Sequence, residues 1–130
     1  MLIASATQKM IEFYRGSCHD INHFLKVWAF AKTIGELEGL DSHTQTVLEL
    51  TAVVHDIACP LCREKYGNTD GKNQERESPP LVEEFFRELP VAKEDVTRIS
   101  WSTRTKAAIQ SLPSAASGSG FSAPPRASGF

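Results

Sequence analysis

Three residues in this chain carry the side chains that bind catalytic metal ions: His23, His55 and Asp56. His55 and Asp56 are adjacent and lie within the most apolar stretch, Thr51-Ala-Val-Val-His-Asp-Ile-Ala58. Ionised side chains are costly to bury without partners. The pair must therefore be satisfied by backbone hydrogen bonds or hold a metal. Imidazole nitrogen and carboxylate oxygen are the ligands that Zn, Mn, Fe and related ions use in proteins.

The spacing of these residues limits the positions at which their side chains could bind the same metal ion. Adjacent side chains on a helix diverge by about 100°, so His55 and Asp56 can share an ion only in a groove against a neighbouring element. His23, on the preceding predicted helix, is placed to supply the third ligand. Three protein ligands leave positions for water and substrate, as metal-assisted hydrolysis requires. The alternative is that His23 is a half-buried core histidine.

Helices joined by short loops are predicted to position these residues, because apolar side chains recur at helical spacing. The predicted helices are Leu2–Tyr14, Asp20–Glu38, Ser42–Ala58 and Leu81–Leu89, with the third at the centre. Gly39 is expected to stop the second helix and Pro60 the third. The polar segment Cys62–Glu77 is predicted to be a loop, and Pro79-Pro80 to open the last helix. No β alternation of useful length is present, so the predicted fold class is all-α.

The length of 130 residues predicts at most one domain. We find no run of about 18 apolar residues and no secretory signal, so we expect a cytoplasmic protein without a membrane partner. Three cysteines do not suggest a disulfide framework. The cations after Asp95 are scattered rather than clustered, which argues against a nucleic-acid partner.

The composition changes near residue 100. All 16 acidic residues lie at or before Asp95, and 16 of the 20 residues from Ser111 to Phe130 are Ser, Ala, Gly or Pro. We predict a helical domain over residues 1–100 and a disordered tail over residues 101–130, because such a segment buries too little apolar surface. The tail is either a native flexible segment or the product of a foreign reading frame.

The motif His23-Phe-Leu-Lys-Val27, followed by an apolar helix ending in His55-Asp56, resembles the HD-domain metal-dependent phosphohydrolase superfamily. The resemblance extends through Gly71-Lys-Asn-Gln-Glu75 and Pro79-Pro-Leu81. It implies an HD-domain-like helical bundle, incomplete at the C-terminus, with His23, His55 and Asp56 as ligands of a divalent Mn, Co, Mg, Zn or Fe ion. The implied reaction is hydrolysis of a nucleotide or other small phosphate compound, and a homodimer is compatible with it.

Further roles follow for the residues around this motif. Asp56 and Glu75 are the predicted catalytic groups, with Glu75 as a general base, and Lys65 and Lys72 are predicted to bind the substrate phosphate, as could Arg63. The family's late aspartate has no counterpart, since no acid follows Asp95. We therefore expect impaired activity in this form. The alternatives are a non-catalytic, truncated HD fragment and a helical binding module.

Two cysteines separated by two residues, in Cys59-Pro-Leu-Cys62, could contribute to a zinc site together with His55. No second Cys/His pair completes four ligands, and a thioredoxin-like role lacks its βαβ context. The favoured interpretation is a helix-terminating turn with small, partly buried thiols.

Overall fold

A computed structural model of the chain describes residues 1–110, with side chains up to Arg104. Within this part all regular structure is α-helical, which confirms the predicted all-α class. The helices are α1 (Leu2–Phe13), α2 (Cys18–Leu37), α3 (Ser42–Val54), α4 (Cys59–Tyr66), α5 (Gly71–Phe86) and α6 (Lys93–Gln110). Disorder is predicted for residues 101–130; of these, residues 101–110 belong to α6, and residues 111–130 lie outside the described part.

Helix α3 is the centre of the fold, as predicted. It packs against α1, α2 and α6, while α5 pairs with α6 and α4 with α5. Its apolar residues are buried because they face helices on several sides. The core contains Ala6, Met10, Tyr14, Phe24, Val47, Leu50, Val53, Val54, Ile57, Val82, Phe85, Phe86 and Ile99.

Helices α2 and α3 form an antiparallel pair whose register is set by a largely buried polar network. The indole Nε1 of Trp28 donates to Oε1 of Glu49 at 3.0 Å. Nε2 of Gln45 donates to Oε2 of Glu49 at 2.9 Å and to the carbonyl of Lys32 at 3.3 Å. Because Glu49 is only 7% exposed, its charge requires these donors.

Gly35 allows the close approach that this network needs. A Cβ atom at this position would lie 2.3 Å from Oε1 of Gln45. The glycine that lowers helix propensity in α2 therefore makes room for the Gln45 side chain. Gly39 ends the helix as predicted, with a left-handed φ of 71° that favours glycine.

The prediction that Pro60 closes the third helix and that Cys62–Glu77 is a loop is wrong. Helix α3 ends at Val54, and Pro60 lies at the start of α4, where its missing N–H costs nothing. Only Gly67 to Asp70 separates α4 from α5. Gly67, with φ of 75°, ends α4 in the left-handed conformation.

Helix α5 begins ten residues before the predicted start, and Pro79 and Pro80 lie inside it. Interior prolines cost about 3 kcal/mol or more each because they remove helical hydrogen bonds. The helix forms nevertheless because one face is buried along its whole length. In the first half of the helix that face carries the small or polar residues Gly71, Gln74 and Ser78, and in the second half the apolar residues Val82, Phe85 and Phe86.

Helix α6 runs past the predicted domain boundary at residue 100, continuing to Gln110. Ile99 and Thr103 are buried one turn apart, and the Thr103 hydroxyl donates to the Ile99 carbonyl at 2.9 Å. In the described part of the chain, none of the helices combines the length and the apolar character needed to cross a bilayer.

We expect Leu50→Ala to lower the free energy of unfolding by about 2–5 kcal/mol, because it deletes buried methyl groups and leaves a cavity. Leu50 is 1% exposed on α3, whereas Leu37 at the end of α2 is 82% exposed. The matched substitution Leu37→Ala should change stability by no more than about 0.5 kcal/mol. Urea unfolding followed by circular dichroism measures both. Equal effects of the two variants would contradict the placement of α3 at the centre.

Candidate metal centre

His23, His55 and Asp56 converge on one point at the boundary of α2 and α3. Nε2 of His23 lies 3.2 Å from Nε2 of His55 and 3.1 Å from Oδ2 of Asp56. Nε2 of His55 lies 3.2 Å from the same Oδ2. The three donor atoms thus form a nearly equilateral triangle. The convergence expected from the sequence is found, while metal binding itself stays a prediction.

The spacing of this triangle fits a metal ion. Ligand bonds of about 2.0–2.2 Å at octahedral to tetrahedral angles place neighbouring donor atoms about 2.8–3.6 Å apart. The observed distances of 3.1–3.2 Å fall within that interval. The residues present therefore fit a divalent cation in both chemistry and geometry.

The ring of His55 is oriented by a backbone hydrogen bond. Its Nδ1 lies 2.7 Å from the carbonyl oxygen of Ala52. Since a carbonyl only accepts, Nδ1 must carry the proton, and in the neutral ring Nε2 presents a lone pair to the triangle. This arrangement of a ligating histidine and an outer acceptor is the one that fixes tautomer and ring orientation in protein metal sites.

The His-Asp pair lies in the turn between α3 and α4, not inside a helix as predicted. The N–H of Ile57 bonds to the carbonyl of Val54 at 3.0 Å, and that of Cys59 to the carbonyl of Asp56 at 3.0 Å. The chain thus leaves the α-helical hydrogen-bond pattern after Val54. His55 keeps right-handed helical φ and ψ angles of −60° and −28°, and from this turn Nε2 of His55 and Oδ2 of Asp56 reach one point.

The three side chains of the triangle differ in their exposure to solvent. The side chains of His55 and Asp56 are 12% and 21% exposed, and that of His23 is 46% exposed. The ring of His19 stacks parallel to that of His23 at 6.3 Å and is itself largely exposed, as expected. The site is therefore anchored in the α3–α4 turn and open on the α2 side.

The other predicted site residues have different partners. Oε1 of Glu75 lies 3.4 Å from Nε of Arg104, and Nζ of Lys65 donates to Oε2 of Glu77 at 2.9 Å. Lys72 is exposed in the first turn of α5. Among the described residues, the ligand cluster contains His23, His55 and Asp56 and does not include Glu75.

No late aspartate reaches the cluster in the described part of the chain. Asp95 pairs with Nε2 of His43 at 3.0 Å. His43 is twelve residues before His55, which corresponds to about 18 Å along a helix. The His43 side chain is exposed and has this acidic partner. Asp70 caps the start of α5 without a side-chain hydrogen bond to the helix.

Sequence reasoning missed a cluster beside the triangle that involves Asp20, one turn before His23. Asp20 accepts from the hydroxyl of Ser17 at 2.8 Å and from Nη2 of Arg63 at 2.5 Å. Burial raises the pKa of the Asp20 carboxyl, but Ser17 and Arg63 both lower it, and the net result is a pKa below the ordinary 3.8. The available signal was the Ser17-x-x-Asp20 capping pattern, which points to a helix start rather than to a site.

Tyr14 lies against the same cluster and is 3% exposed. Burial raises the pKa of its phenol far above the ordinary value, and the negative charge of Asp56 raises it further. The phenol therefore stays neutral and can act as a hydrogen-bond donor across the usual pH range.

Cys59 and Cys62 are buried cysteines in the first turn of α4 and are not joined by a disulfide. The expectation of small, partly buried thiols is met, whereas the helix-terminating turn is wrong because a helix begins here. Burial raises the pKa of the Cys62 thiol, which disfavours the thiolate form that binds zinc.

Comparison of the chain with protein-family models, with curated proteins and with solved structures found no match.

We expect the purified chain to bind Co²⁺ or Mn²⁺ through His23, His55 and Asp56, and His55→Ala to weaken this binding at least about 100-fold. Loss of an outer-shell partner alone costs about 10–100-fold, and the substitution removes a ligand. Calorimetric titration of the chelator-treated protein measures the affinity. His43→Ala is the matched control because it removes a histidine at the far end of α3, where it pairs with Asp95. Equal losses in the two variants would refute the site.

A separate prediction concerns acid stability. Because the folded-state pKa of Asp20 lies below the ordinary 3.8, the ionised carboxylate stabilises the folded chain at neutral pH, and this contribution is lost as the pH falls through the folded-state pKa. Asp20→Asn should therefore lower the free energy of unfolding at pH 7, and the deficit should shrink in acid. Urea unfolding across the pH range measures it, with Asp70→Asn as control. A deficit independent of pH would contradict this assignment.

Proposed function

We propose that the chain is a metal-dependent phosphohydrolase of the HD type that acts on a nucleotide or another small phosphorylated compound. The observation that carries the proposal is the triangle of two imidazole nitrogens and one carboxylate oxygen, 3.1–3.2 Å apart. The all-α architecture, with the histidine of one helix facing the His-Asp turn after the next, supports it. The HD-like arrangement of the bundle is part of the proposal.

A bound divalent ion would lower the pKa of a water molecule and neutralise charge on a phosphoryl group. The residues of the chain would hold and orient that ion. His55 is fixed by its bond to the Ala52 carbonyl, and Asp56 contributes the negative charge. His23 completes the triangle from α2 and, as its most exposed member, leaves one side accessible to a small substrate.

The substrate-binding roles of Lys65 and Lys72 and the general-base role of Glu75 remain predictions. Lys65 and Glu75 are paired with Glu77 and Arg104, respectively. Each would have to exchange its partner to contact a substrate. Lys72 is exposed beside the α4–α5 turn and requires no such exchange to contact a phosphate.

The site offers three protein ligands in the described part of the chain, and the resemblance implies a fourth. A missing charged ligand weakens metal affinity and the positioning of the substrate. We therefore propose that activity is low in this form. The non-catalytic alternative differs in its expected outcome: the ion binds, but no substrate is hydrolysed.

The test is a phosphatase assay of the 130-residue chain with nucleoside monophosphates and added Mn²⁺, Co²⁺ or Mg²⁺. We expect slow, metal-dependent release of phosphate that falls at least about 100-fold in His55→Ala, by the same ligand loss. His43→Ala should retain the activity. Metal binding without any phosphate release would support the non-catalytic alternative. Turnover that survives in His55→Ala would show that the triangle is not the reacting site.

A further inference from the structure

A second feature lies beside the triangle: a cavity of about 420 Å³ between the end of α1, the start of α2 and α4. Its polar lining combines two guanidinium groups, two hydroxyl groups and two carboxylates. The lining residues that matter here are Tyr14, Arg15, Ser17, Asp20, Pro60 and Arg63. Guanidinium groups are the side chains that recognise phosphate oxygens through paired N–H donors.

The cavity adjoins the candidate metal centre. Asp20 precedes His23 by three residues on α2, a rise of about 4.5 Å. The ring of His19 bridges them, since its Nδ1 is 3.5 Å from Asp20 and the ring stacks on that of His23. On the other side, Pro60 follows Asp56 by four residues. Tyr14, which lines the cavity, also lies near enough to Asp56 for that carboxylate to raise the pKa of its phenol, so the cavity and the triangle are neighbours.

Arg63 is held for binding before any ligand arrives. Nη2 donates to Oδ2 of Asp20 at 2.5 Å, and the Asp20 side chain is itself only 11% exposed and fixed by Ser17. A guanidinium has five N–H donors in a rigid fork, so the bond to Asp20 leaves further donors for another acceptor. The Arg63 side chain is 47% exposed, so these donors can reach a ligand from solvent.

We propose that this cavity is a phosphate subsite, in which Arg63 and Arg15 bind a phosphate of the substrate while Asp20 holds Arg63 in position. The assignment of this phosphate to a substrate rests on the proposed hydrolase function. In this proposal Arg63 and Arg15 contact the phosphate, whereas the sequence analysis predicts phosphate contacts from Lys65 and Lys72. The ligand class is a small phosphorylated compound that spans the cavity and the triangle.

Glu64 also lines the cavity, and its substitution should change phosphate binding in the direction opposite to substitution of an arginine. Its exposed carboxylate would repel a phosphate at short range. Removal of this charge should strengthen phosphate binding, whereas removal of a guanidinium should weaken it. Changes of stability alone would not produce this pair of opposite shifts.

The experiment measures binding of inorganic phosphate to the full, chelator-treated chain by ³¹P nuclear magnetic resonance. We expect Arg63→Gln to weaken binding at least about tenfold, because it removes a charge-assisted, forked contact. Arg15→Gln should also weaken it, and Glu64→Gln should strengthen it. The matched control is Arg87→Gln, which removes the same charge from an exposed pair with Glu84 on the surface of α5.

Three results would overturn the subsite: no phosphate binding, unaltered binding in Arg63→Gln, or equal weakening in Arg63→Gln and Arg87→Gln. Should Arg63→Gln fail to fold by circular dichroism, Arg63→Lys decides the question, because it keeps the charge but loses the fork and should weaken binding.

The subsite and the proposed reaction can fail separately. His55→Ala should leave phosphate binding to the metal-free chain unchanged, because the cavity does not use this residue. Arg63-dependent phosphate binding without hydrolysis would keep the subsite and reject the enzyme. Loss of phosphate binding in His55→Ala, with binding unaltered in Arg63→Gln, would place the anion on the triangle and overturn the subsite.

Discussion

The hydrogen bonding of the Glu49 carboxylate between α2 and α3 is the interaction on which the rest of the structure depends. The carboxylate is nearly buried in α3 and accepts one hydrogen bond from Trp28 of α2 and another from Gln45 one turn away. Gln45 also bonds to the carbonyl of Lys32. A buried charge that loses its donors is strongly destabilising, so α2 and α3 are restricted to the register that satisfies Glu49. In that register His23 faces His55, since the contacts 23–55, 28–49 and 32–45 follow one antiparallel alignment.

The three donor atoms of the triangle all face the point at which we propose that a divalent ion binds. Nδ1 of His55 is committed to Ala52, so its Nε2 and the oxygen of Asp56 both present lone pairs to the point where Nε2 of His23 lies. If the proposed divalent ion binds at this point, its ligand atoms must be free of protons, so metal binding would release protons.

The sequence predicted those elements whose buried faces are apolar. Helices α1 to α3 were found because residues such as Met10, Phe24 and Leu50 recur at helical spacing. The first half of α5 was missed because its buried positions are occupied by Gly71, Gln74 and Ser78, which give no hydrophobic period. Pro60 was interpreted as a stop because the sequence does not distinguish a proline that ends one helix from a proline that begins the next.

The three candidate ligands were identified from the sequence by residue type, but their mutual geometry depends on tertiary structure. The turn after Val54, which contains His55 and Asp56, could not be recognised in the sequence because apolar residues continue to Ala58. The pair Asp20–Arg63 joins residues 43 positions apart. Contacts at that separation have no local sequence signal and follow only from the packing of α4 beside the start of α2.

The shared register of α2 and α3 has a consequence for how the chain can vary in length. Insertion of one residue in α2 between His23 and Trp28 would rotate the two ends of the helix by about 100° and shift them by about 1.5 Å relative to each other. Either the histidine would leave the triangle or Glu49 would lose its indole donor. The loop around Leu40 connects the two helices and takes no part in the contacts 23–55, 28–49 and 32–45. Changes of length in a homologous chain should therefore be tolerated in that loop and excluded from the stretches between the paired residues.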